Sequence, residues 1–382
     1  MVQMYFSDCH DLEYHYAGVQ KFMAKWLCNL EKVFMGVVCE LPFASIIYDY
    51  AAEVSILSVL VNLLHFSILT RKPMRTSSIN ILMAAVALFD IFSSLIYIHV
   101  FLEEHNYLFF TCHIRYTFGT ALTRILLSAV KDYSRKCSTW FIVFIAFIRT
   151  LIIRNPLSSI YESLAKPRVS AIIIAIVCAA SLPISTIKSF EFLIAKGPFL
   201  NICAGKIFYY LLTEGPLFMA NNLLFGKYFY IFNSLVSDVI PSLLLPIVTC
   251  LLLQGIRRAG KIRARTSPSG QNSYWKTTGL VFCVTFMFFL VEFPYGLSIG
   301  FQWVLNDVYG VKNILSYCGY MFPVFITGNS CTHLVVCFLM SSDYRSTAIS
   351  VFSCVYFNQE RRHAQRVQVN TSLHPTALPP VN

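Results

Sequence analysis

The sequence predicts an all-α membrane protein, a bundle of seven helices that each cross the bilayer. Of its 382 residues, 56% are hydrophobic and 13% are charged, whereas about a quarter of the residues in soluble domains are charged. The apolar residues are gathered into seven stretches of the roughly 20 residues that a spanning helix needs. These stretches are too long for membrane β-strands and lack their alternating polarity.

The seven stretches divide the chain into three parts. Residues 1–45 precede the bundle, residues 46–340 form it, and residues 341–382 form a tail with a candidate short amphipathic helix. The predicted spans are Ile46–Thr70, Ile79–Val100, Leu126–Ile153, Val169–Ile187, Phe229–Gln254, Thr277–Phe301 and Ser316–Met340. Residues 1–25 lack the compact apolar core of a cleavable signal peptide.

The basic residues predict the orientation of the bundle. Seventeen of the 30 Lys and Arg, but only three of the 19 acids, fall in the loops and tail on the side of the carboxyl terminus. Because cytoplasmic loops are rich in Lys and Arg, we expect a multi-pass plasma-membrane protein with its amino terminus outside the cell. The net charge of +11 then belongs to the cytoplasmic face, and no soluble face is left to bind nucleic acid.

The first two helices carry polar residues inside apolar sequence. Asn62 lies in LSVLVNLLHF and Asp90 in NILMAAVALFD. Asp90 follows Ile79 by eleven residues, which places it near mid-bilayer, where a carboxyl group needs a partner, an ion or a proton. Two interpretations stay open, a functional polar site and a structural hydrogen bond to a neighbouring helix.

The third helix is expected to end in a cation. Arg149 closes the apolar run of WFIVFIAFIRTLIIRNPL, where an arginine faces either the protein interior or the lipid headgroups. The charged segment KDYSRK interrupts the same helix at residues 131–136. We therefore expect the membrane part to begin near Leu126, with residues 112–125 forming an outer loop that has its own helical piece.

The interrupting charges face the bundle if the helix is continuous. Lys131 precedes Arg149 by 18 residues, or five turns, so both lie on one face, with Arg135 close to it. Asp132 is spaced to pair with Arg135 or Lys136.

The outer half of the bundle is the expected ligand site. A long outer loop, Lys188–Tyr228, is placed to cap it, and the sixth helix contributes the sequence EFPYG. The cations suggest that an extracellular peptide or small-molecule ligand has an anionic group; the alternative is that the charges pair with one another. The candidate pocket residues are Lys131, Asp132, Arg135, Glu292, Tyr295 and Tyr317.

Several motifs together resemble those of rhodopsin-like G-protein-coupled receptors. Asn62 and Asp90 have the 28-residue separation of that family's first-helix asparagine and second-helix aspartate. AFIRTLIIRNPL resembles the A-x-D-R-Y-x-A-x-x-x-P-L end of its third helix, and NSCTHLVVC stands in place of N-S-x-x-N-P-x-x-Y. More closely, TRKPMRTSSINILM, FPYG and CTHLVVCFLMSSDYR resemble the nematode serpentine receptor class W, a chemoreceptor branch related to FMRFamide-type peptide receptors, over about residues 45–355.

The resemblance implies a chemosensory or neuropeptide-type receptor that transmits ligand binding to a heterotrimeric G protein and needs no cofactor. Arg149 would engage the G protein, and Cys112 and Cys203 would form a disulfide. Pairs with Cys9, Cys28 or Cys39 are the alternatives to that disulfide. The polar core that holds sodium in relatives would comprise Asn62, Asp90, Asn329, Ser330 and His333.

Two departures from the family pattern and one candidate modification site accompany these roles. Ile148 replaces the acid that precedes the arginine, so the usual local salt bridge is not expected. His333 and Leu334 stand where relatives have Asn-Pro. Cys354, just past the seventh helix, is a candidate palmitoylation site, with the unmodified thiol as the favoured state.

Two other classes of membrane protein compete with a receptor. In a transporter or channel, Asp90, Glu292 and His333 would relay ions or protons, but the sequence has no inverted repeat of the kind that transporters usually contain. A membrane enzyme is the weakest alternative, because the sequence has no H-E-x-x-H or other paired catalytic spacing.

Overall fold

The computed structural model describes residues 50–104, 117–154, 163–202, 205–264, 270–305 and 311–351. Helices α1 to α4 are Ala51–Leu69, Ser78–Glu104, Phe118–Arg154 and Pro167–Ser189. An antiparallel hairpin follows, formed by β1 (Phe192–Ile202) and β2 (Gly205–Glu214). The remaining helices are α5 (Pro216–Ser234), α6 (Ile240–Ala264), α7 (Gly270–Val304), α8 (Val311–Ser330) and α9 (Thr332–Met340).

These helices make up the seven spans of an all-α membrane bundle, as the sequence predicts. A π-helical turn at Leu235–Val239 joins α5 to α6 as the fifth span, α7 is the sixth, and α8 with α9 forms the seventh. Six of the described helical stretches are long and apolar enough to cross a membrane, and α7 is a further helix of 35 residues. We call the end of the bundle that carries β1 and β2 the hairpin end, and the opposite end the tail end.

Helix α1 shows how the bundle is inverted relative to a soluble protein. Along its middle the buried side chains are polar: Ser58, Asn62 and His65 are each no more than 1% exposed. On the other face, Leu57 and Leu60 are 55% and 59% exposed. Such a pattern is expected of a helix whose apolar face meets lipid and whose polar groups find partners inside the protein.

Helix α3 lies at the centre of the bundle. Leu82 of α2, Phe141 of α3 and Val177 of α4 belong to one buried cluster. On another side of α3, Val143 packs with Leu245 of α6 and Phe288 of α7. Side chains of α3 therefore contact other helices on several of its sides. Polar side chains near both ends of α3 face the protein interior rather than lipid.

The predicted interruption of the third helix is wrong. Helix α3 runs for 37 residues without a break from Phe118, so residues 118–125 belong to the same helix as Leu126. The charged segment continues the helix because its side chains face protein rather than lipid. Lys136 is only 5% exposed and pairs with Asp132, one turn earlier.

The predicted loop Lys188–Tyr228 does connect the fourth and fifth spans, but it is shorter than expected. It holds the hairpin, in which Phe192 pairs with Glu214, and the first turns of the fifth span, which begins at Pro216 rather than Phe229. Gly215 makes the junction: its N–H donates to the Glu191 carbonyl at 2.7 Å, and an added Cβ would come within 2.0 Å of the Phe190 carbonyl oxygen. The turn into α5 therefore requires glycine.

The seventh span is broken at Cys331 rather than continuous from Ser316 to Met340. Hydroxyl groups compete for backbone carbonyls at the break: Ser330 Oγ donates to the Thr327 carbonyl and Thr332 Oγ1 to the Asn329 carbonyl, both at 2.7 Å. Side-chain bonds of this kind loosen the regular helical ladder.

The tail begins with a helix, residues 342–351, which we call the tail helix. Tyr344, 1% exposed, hydrogen-bonds through its hydroxyl to His65 Nδ1 at 2.8 Å and packs with Ile68 and Leu69 of α1. The tail helix therefore docks on the first span, and the amphipathic character predicted for the tail stays a prediction. The boundaries of the bundle at residues 45 and 340 stay predictions.

Tyr344→Phe is expected to destabilise the protein by about 1–3 kcal/mol, the cost of an unsatisfied buried polar group. The change removes the hydroxyl from His65, whose Nε2 already has no hydrogen-bond partner within the described residues. Thermal unfolding of the purified protein measures the effect. Tyr228→Phe is the control, because Tyr228 is 66% exposed; equal shifts for the two variants would contradict the prediction.

Candidate functional site

The hairpin end contains a cavity of about 430 Å³. Its floor and walls come from α3, α4, the fifth span and α7, and the hairpin contributes Phe192 and Glu214. Of the predicted pocket residues, Lys131, Asp132, Arg135 and Tyr295 line it. Glu292 lies directly beneath, bonded to Arg135, while the side chain of Tyr317 lies outside the described residues.

Arg135 joins three spans through one group of atoms. Its Nη2 donates to Asp238 Oδ1 at 2.9 Å and to Glu292 Oε2 at 2.7 Å. The ring of Tyr295 lies against the guanidinium, 3.9 Å from Cζ to the ring centroid. The third, fifth and sixth spans are thus tied together by a buried ion cluster.

The π-helical turn brings Asp238 to this cluster. Pro241 follows the turn and cannot donate a backbone hydrogen bond, and prolines commonly disturb the helical ladder in this way. Across the interface, added Cβ atoms at Gly296 and Gly300 would lie 2.8 Å from Asp238 Cβ and 2.9 Å from Ser234 Oγ. The two glycines of α7 therefore let the widened turn approach closely enough for Asp238 to reach Arg135.

Asp132 is held by a second ion cluster nearer the hairpin. It accepts from Lys136, one turn along α3, and pairs with Lys188 of α4 at 3.1 Å. Ser185 Oγ donates to the same carboxylate at 2.9 Å. Of the two partners that helical spacing allows for Asp132, the one used is Lys136.

Lys131 differs from the other cations of the cavity. Its Nζ donates to the Tyr97 hydroxyl at 3.3 Å and lies 5.0 Å from the centroid of the same ring. Within the described residues, no carboxylate lies within ion-pair distance of Nζ. Internal pairing, the alternative left open by the sequence, thus holds for Asp132, Arg135 and Glu292 but not for Lys131.

The predicted polar core lies at the middle of the bundle. Asp90 Oδ1 accepts from Ser138 Oγ at 2.6 Å, whereas Oδ2 has no hydrogen-bond partner in the part of the chain described. Asn329, Ser330 and His333 line the same small cavity, of about 40 Å³.

Asn62 joins this core through Ser330 rather than through Asp90. Its Nδ2 donates to Ser330 Oγ at 3.2 Å, and Ser58 Oγ is 2.8 Å from the same atom. The five residues predicted for the polar core therefore lie together: four line one small cavity, and Asn62 is bonded to one of them, Ser330.

Arg149 lies at the tail end, half-buried in a cavity of about 100 Å³. Its Nη2 is 3.5 Å from Met83 Sδ, and His65, His333 and Cys337 line the same cavity. No carboxylate among the described residues lies within ion-pair distance of its guanidinium, consistent with Ile148 in place of an acid.

Four residues of the site were not predicted from the sequence, and several predicted cysteines lie outside the described residues. Asp238, Lys188, Tyr97 and Ser138 were not predicted. An acid three residues before Pro241, within an apolar span, is the signal that could have identified Asp238. The cysteines that lie outside the described residues are Cys9, Cys28, Cys39, Cys112, Cys203 and Cys354.

Glu191, at the base of the hairpin, gives the cavity mouth a titratable group. Burial raises the pKa of its carboxyl above the ordinary value of 4.5, although Lys188 lowers it, and Tyr230, Asp132 and Glu214 also act on it. A carboxyl group with a raised pKa in the folded state favours folding most at low pH, and this contribution falls as pH rises through the folded pKa.

Glu191→Gln should therefore match the wild type in acid and be the more stable protein at neutral pH. Unfolding midpoints of the two proteins, measured across a pH series from about 4.5 upward, test this. Parallel pH profiles for the two proteins would contradict the prediction.

Comparison with known proteins places this arrangement in a family. A search of curated proteins gave no match. The family model described as "Serpentine type 7TM GPCR chemoreceptor Srw" matches residues 49–355, which include every described helical span. Seven spans, a central third helix and a match over most of the chain agree: the chain belongs to the Srw family of serpentine 7TM chemoreceptors.

Proposed function

We propose that this receptor binds an extracellular ligand in the hairpin-end cavity and activates a heterotrimeric G protein at the tail end. The observation that carries the proposal is that one helix serves both ends. Helix α3 carries Lys131 and Arg135 in the cavity and Arg149 at the tail end, with the Asp90–Ser138 bond between them.

The Arg135 ion cluster supports a route from ligand to helix movement. A ligand that takes over part of the contact between Arg135 and its two carboxylates loosens the tie to the fifth and sixth spans. Glu292 lies two residues before Pro294, where a helix bends most easily. Ligand and G protein then need only favour the same minor conformation of α7.

Arg149 is suited to a cytoplasmic partner because no carboxylate among the described residues holds it. Its guanidinium can donate several hydrogen bonds to carbonyl or carboxylate groups of a G protein. The exposed basic residues Arg71, Lys72 and Arg168 lie at the same end. The positive-inside rule supports a cytoplasmic tail end and an extracellular hairpin.

The polar core fits the sodium ion that the family resemblance implies. Asp90 Oδ2 has no partner among the described residues, and the amide of Asn329 and hydroxyl of Ser330 line the same cavity. Oxygen donors of this kind suit hard cations. We propose that Asp90, Asn329 and Ser330 would hold the ion and that its charge would stabilise the resting bundle.

The test is nucleotide exchange by a G protein added to the receptor in nanodiscs, with a panel of small water-soluble metabolites and peptides as probes. The expected result is exchange that depends on one or a few of these compounds. The same receptor in sealed liposomes without G protein should pass no ions. Ion flux without exchange would favour the transporter or channel alternative. A carboxyl-terminal epitope tag accessible on intact cells would contradict the proposed orientation.

A further inference from the structure

The hairpin-end cavity is lined mainly by charged and polar side chains, unlike most small-molecule pockets, which are predominantly apolar. Counted as ionised, the charged side chains that line it balance, with four on each side. The cations are Lys131, Arg135, Lys136 and Lys188, and the acids are Asp132, Glu191, Glu214 and Asp238. Glu292 does not line this cavity and is bonded to Arg135. A ligand with a net charge would leave that charge unbalanced in a site of low dielectric constant, which is costly.

The balanced charges are unevenly distributed, and one pole of the cavity is positive. Lys131 has only Tyr97 as a polar partner, at 3.3 Å, and no carboxylate partner within the described residues. Arg135 uses Nη2 for both of its acids, while its buried Nε has no hydrogen-bond partner within the same part of the chain. The two residues are four apart on α3 and so share a face. An anionic group of a ligand would give Lys131 a charged partner and lie close to the Arg135 guanidinium.

A negative pole lies on the other side of Arg135. Asp238 and Glu292 share the single Nη2 group, so this pair carries one negative charge more than its partner supplies. Asp238 lines the cavity, and a ligand ammonium beside it would be stabilised by both carboxylates. The second ion cluster, at Asp132, has the opposite excess because two ammonium groups share one carboxylate.

We propose that the cavity binds a small zwitterionic ligand with the chemistry of a free α-amino acid or a short peptide with both ends free. Its carboxylate lies against Lys131 Nζ and beside the Arg135 guanidinium, and its ammonium lies against Asp238, which shares Arg135 Nη2 with Glu292. The inference rests on the proposed function of the cavity as the ligand site. A volume of about 430 Å³ lies within the range of small-molecule sites.

The experiment measures ligand-induced thermal stabilisation of the full-length receptor in nanodiscs. The probes are the common free amino acids and their dipeptides with alanine, each unmodified, N-acetylated, carboxyl-amidated and doubly blocked. A ligand that binds the folded state raises the unfolding midpoint. We expect at least one unmodified probe to stabilise the receptor and each single block to weaken its binding by about tenfold to hundredfold, the value of one charge-assisted hydrogen bond.

Lys131→Gln is the diagnostic variant. It should bind the unmodified probe about as weakly as the wild type binds the amidated form, while Lys131→Arg, which keeps the charge, should retain most of the affinity. Lys72→Gln, an exposed lysine at the tail end, should leave binding unchanged. The unfolding midpoint of each variant without probe shows that it is folded.

Three results would overturn the proposal: amidated or acetylated probes as effective as the unmodified ones, a Lys131→Gln receptor that still distinguishes free from amidated ends, or no stabilisation by any probe. Nucleotide exchange in the same nanodiscs separates this failure from that of the proposed function. Nucleotide exchange evoked by an uncharged compound would contradict the zwitterionic ligand and support the receptor function. Stabilisation by a free amino acid without nucleotide exchange would support the proposed ligand class and contradict G-protein coupling.

Discussion

Arg135→Ala is expected to destabilise the receptor by about 3–5 kcal/mol, the usual cost of removing one partner from a buried ion cluster. Asp238 and Glu292 are 7% and 2% exposed, and both direct an oxygen to the same guanidinium nitrogen. Without the cation, two carboxylates stay buried side by side with no positive partner. The unfolding midpoint of the purified receptor, or the fraction that stays folded after heating, measures the loss.

A matched triple variant separates charge imbalance from lost packing. Arg135→Leu combined with Asp238→Asn and Glu292→Gln removes the whole cluster, and replacing a complete buried ion cluster with neutral groups is often close to neutral in stability. We expect this variant to recover most of the stability lost by Arg135→Ala. Arg168→Ala, at an exposed arginine, should change stability by no more than about 0.5 kcal/mol. A triple variant as unstable as the single one would show that packing, rather than charge, is the cause.

Hydropathy was sufficient to predict the seven-span architecture because spanning helices must be long and apolar. It failed at residues 131–136, where charge suggested an interruption. Average hydropathy does not record whether a lysine faces lipid or a carboxylate on another helix. Lys136 faces protein because it contacts Asp132 and Ser185 of α4. Ser185 lies 49 residues from Lys136 in the sequence, so local hydropathy does not reveal this contact.

The hairpin and the π-helical turn were missed for different reasons. The hairpin is a local structure: FLIAKGPFLNI and GKIFYYLLTE are strand-like runs beside a glycine, so a search for strands within the long loop could have found it. The position of Asp238 is not determined by the neighbouring sequence alone. It requires the wider turn before Pro241 and the glycines of α7 that let the two spans approach each other.

The polar core was predicted more completely, since buried polar residues in membrane helices seek one another. Asn62, Asp90, Asn329, Ser330 and His333 do come together. Their bonding pattern could not be predicted from spacing, because it depends on hydroxyl groups of Ser58 and Ser138 that carry no signal in a single sequence. The roles of these residues stay predictions.

Arg149→Ala is expected to abolish most signalling while leaving the receptor folded. If the guanidinium donates to the G protein, its loss should slow ligand-evoked nucleotide exchange by about tenfold to hundredfold. The effect on stability should be opposite to that of Arg135→Ala. Arg149 is a half-buried cation with no carboxylate partner among the described residues, and an uncompensated charge is costly to desolvate.

The two arginines of α3 therefore provide a direct comparison. Arg149→Ala should keep or raise the unfolding midpoint, retain ligand-induced stabilisation and lose exchange, whereas Arg135→Ala should lower the unfolding midpoint. Arg154→Ala, an exposed arginine one turn further along α3, serves as the control for general loss of positive charge and should keep exchange. If Arg149→Ala unfolds the receptor, the cation has a structural partner at the tail end; if it signals normally, the G protein does not use it. Because no carboxylate among the described residues restrains Arg149, a variant that stays folded but loses exchange would identify the arginine as a contact for a partner rather than an internal lock.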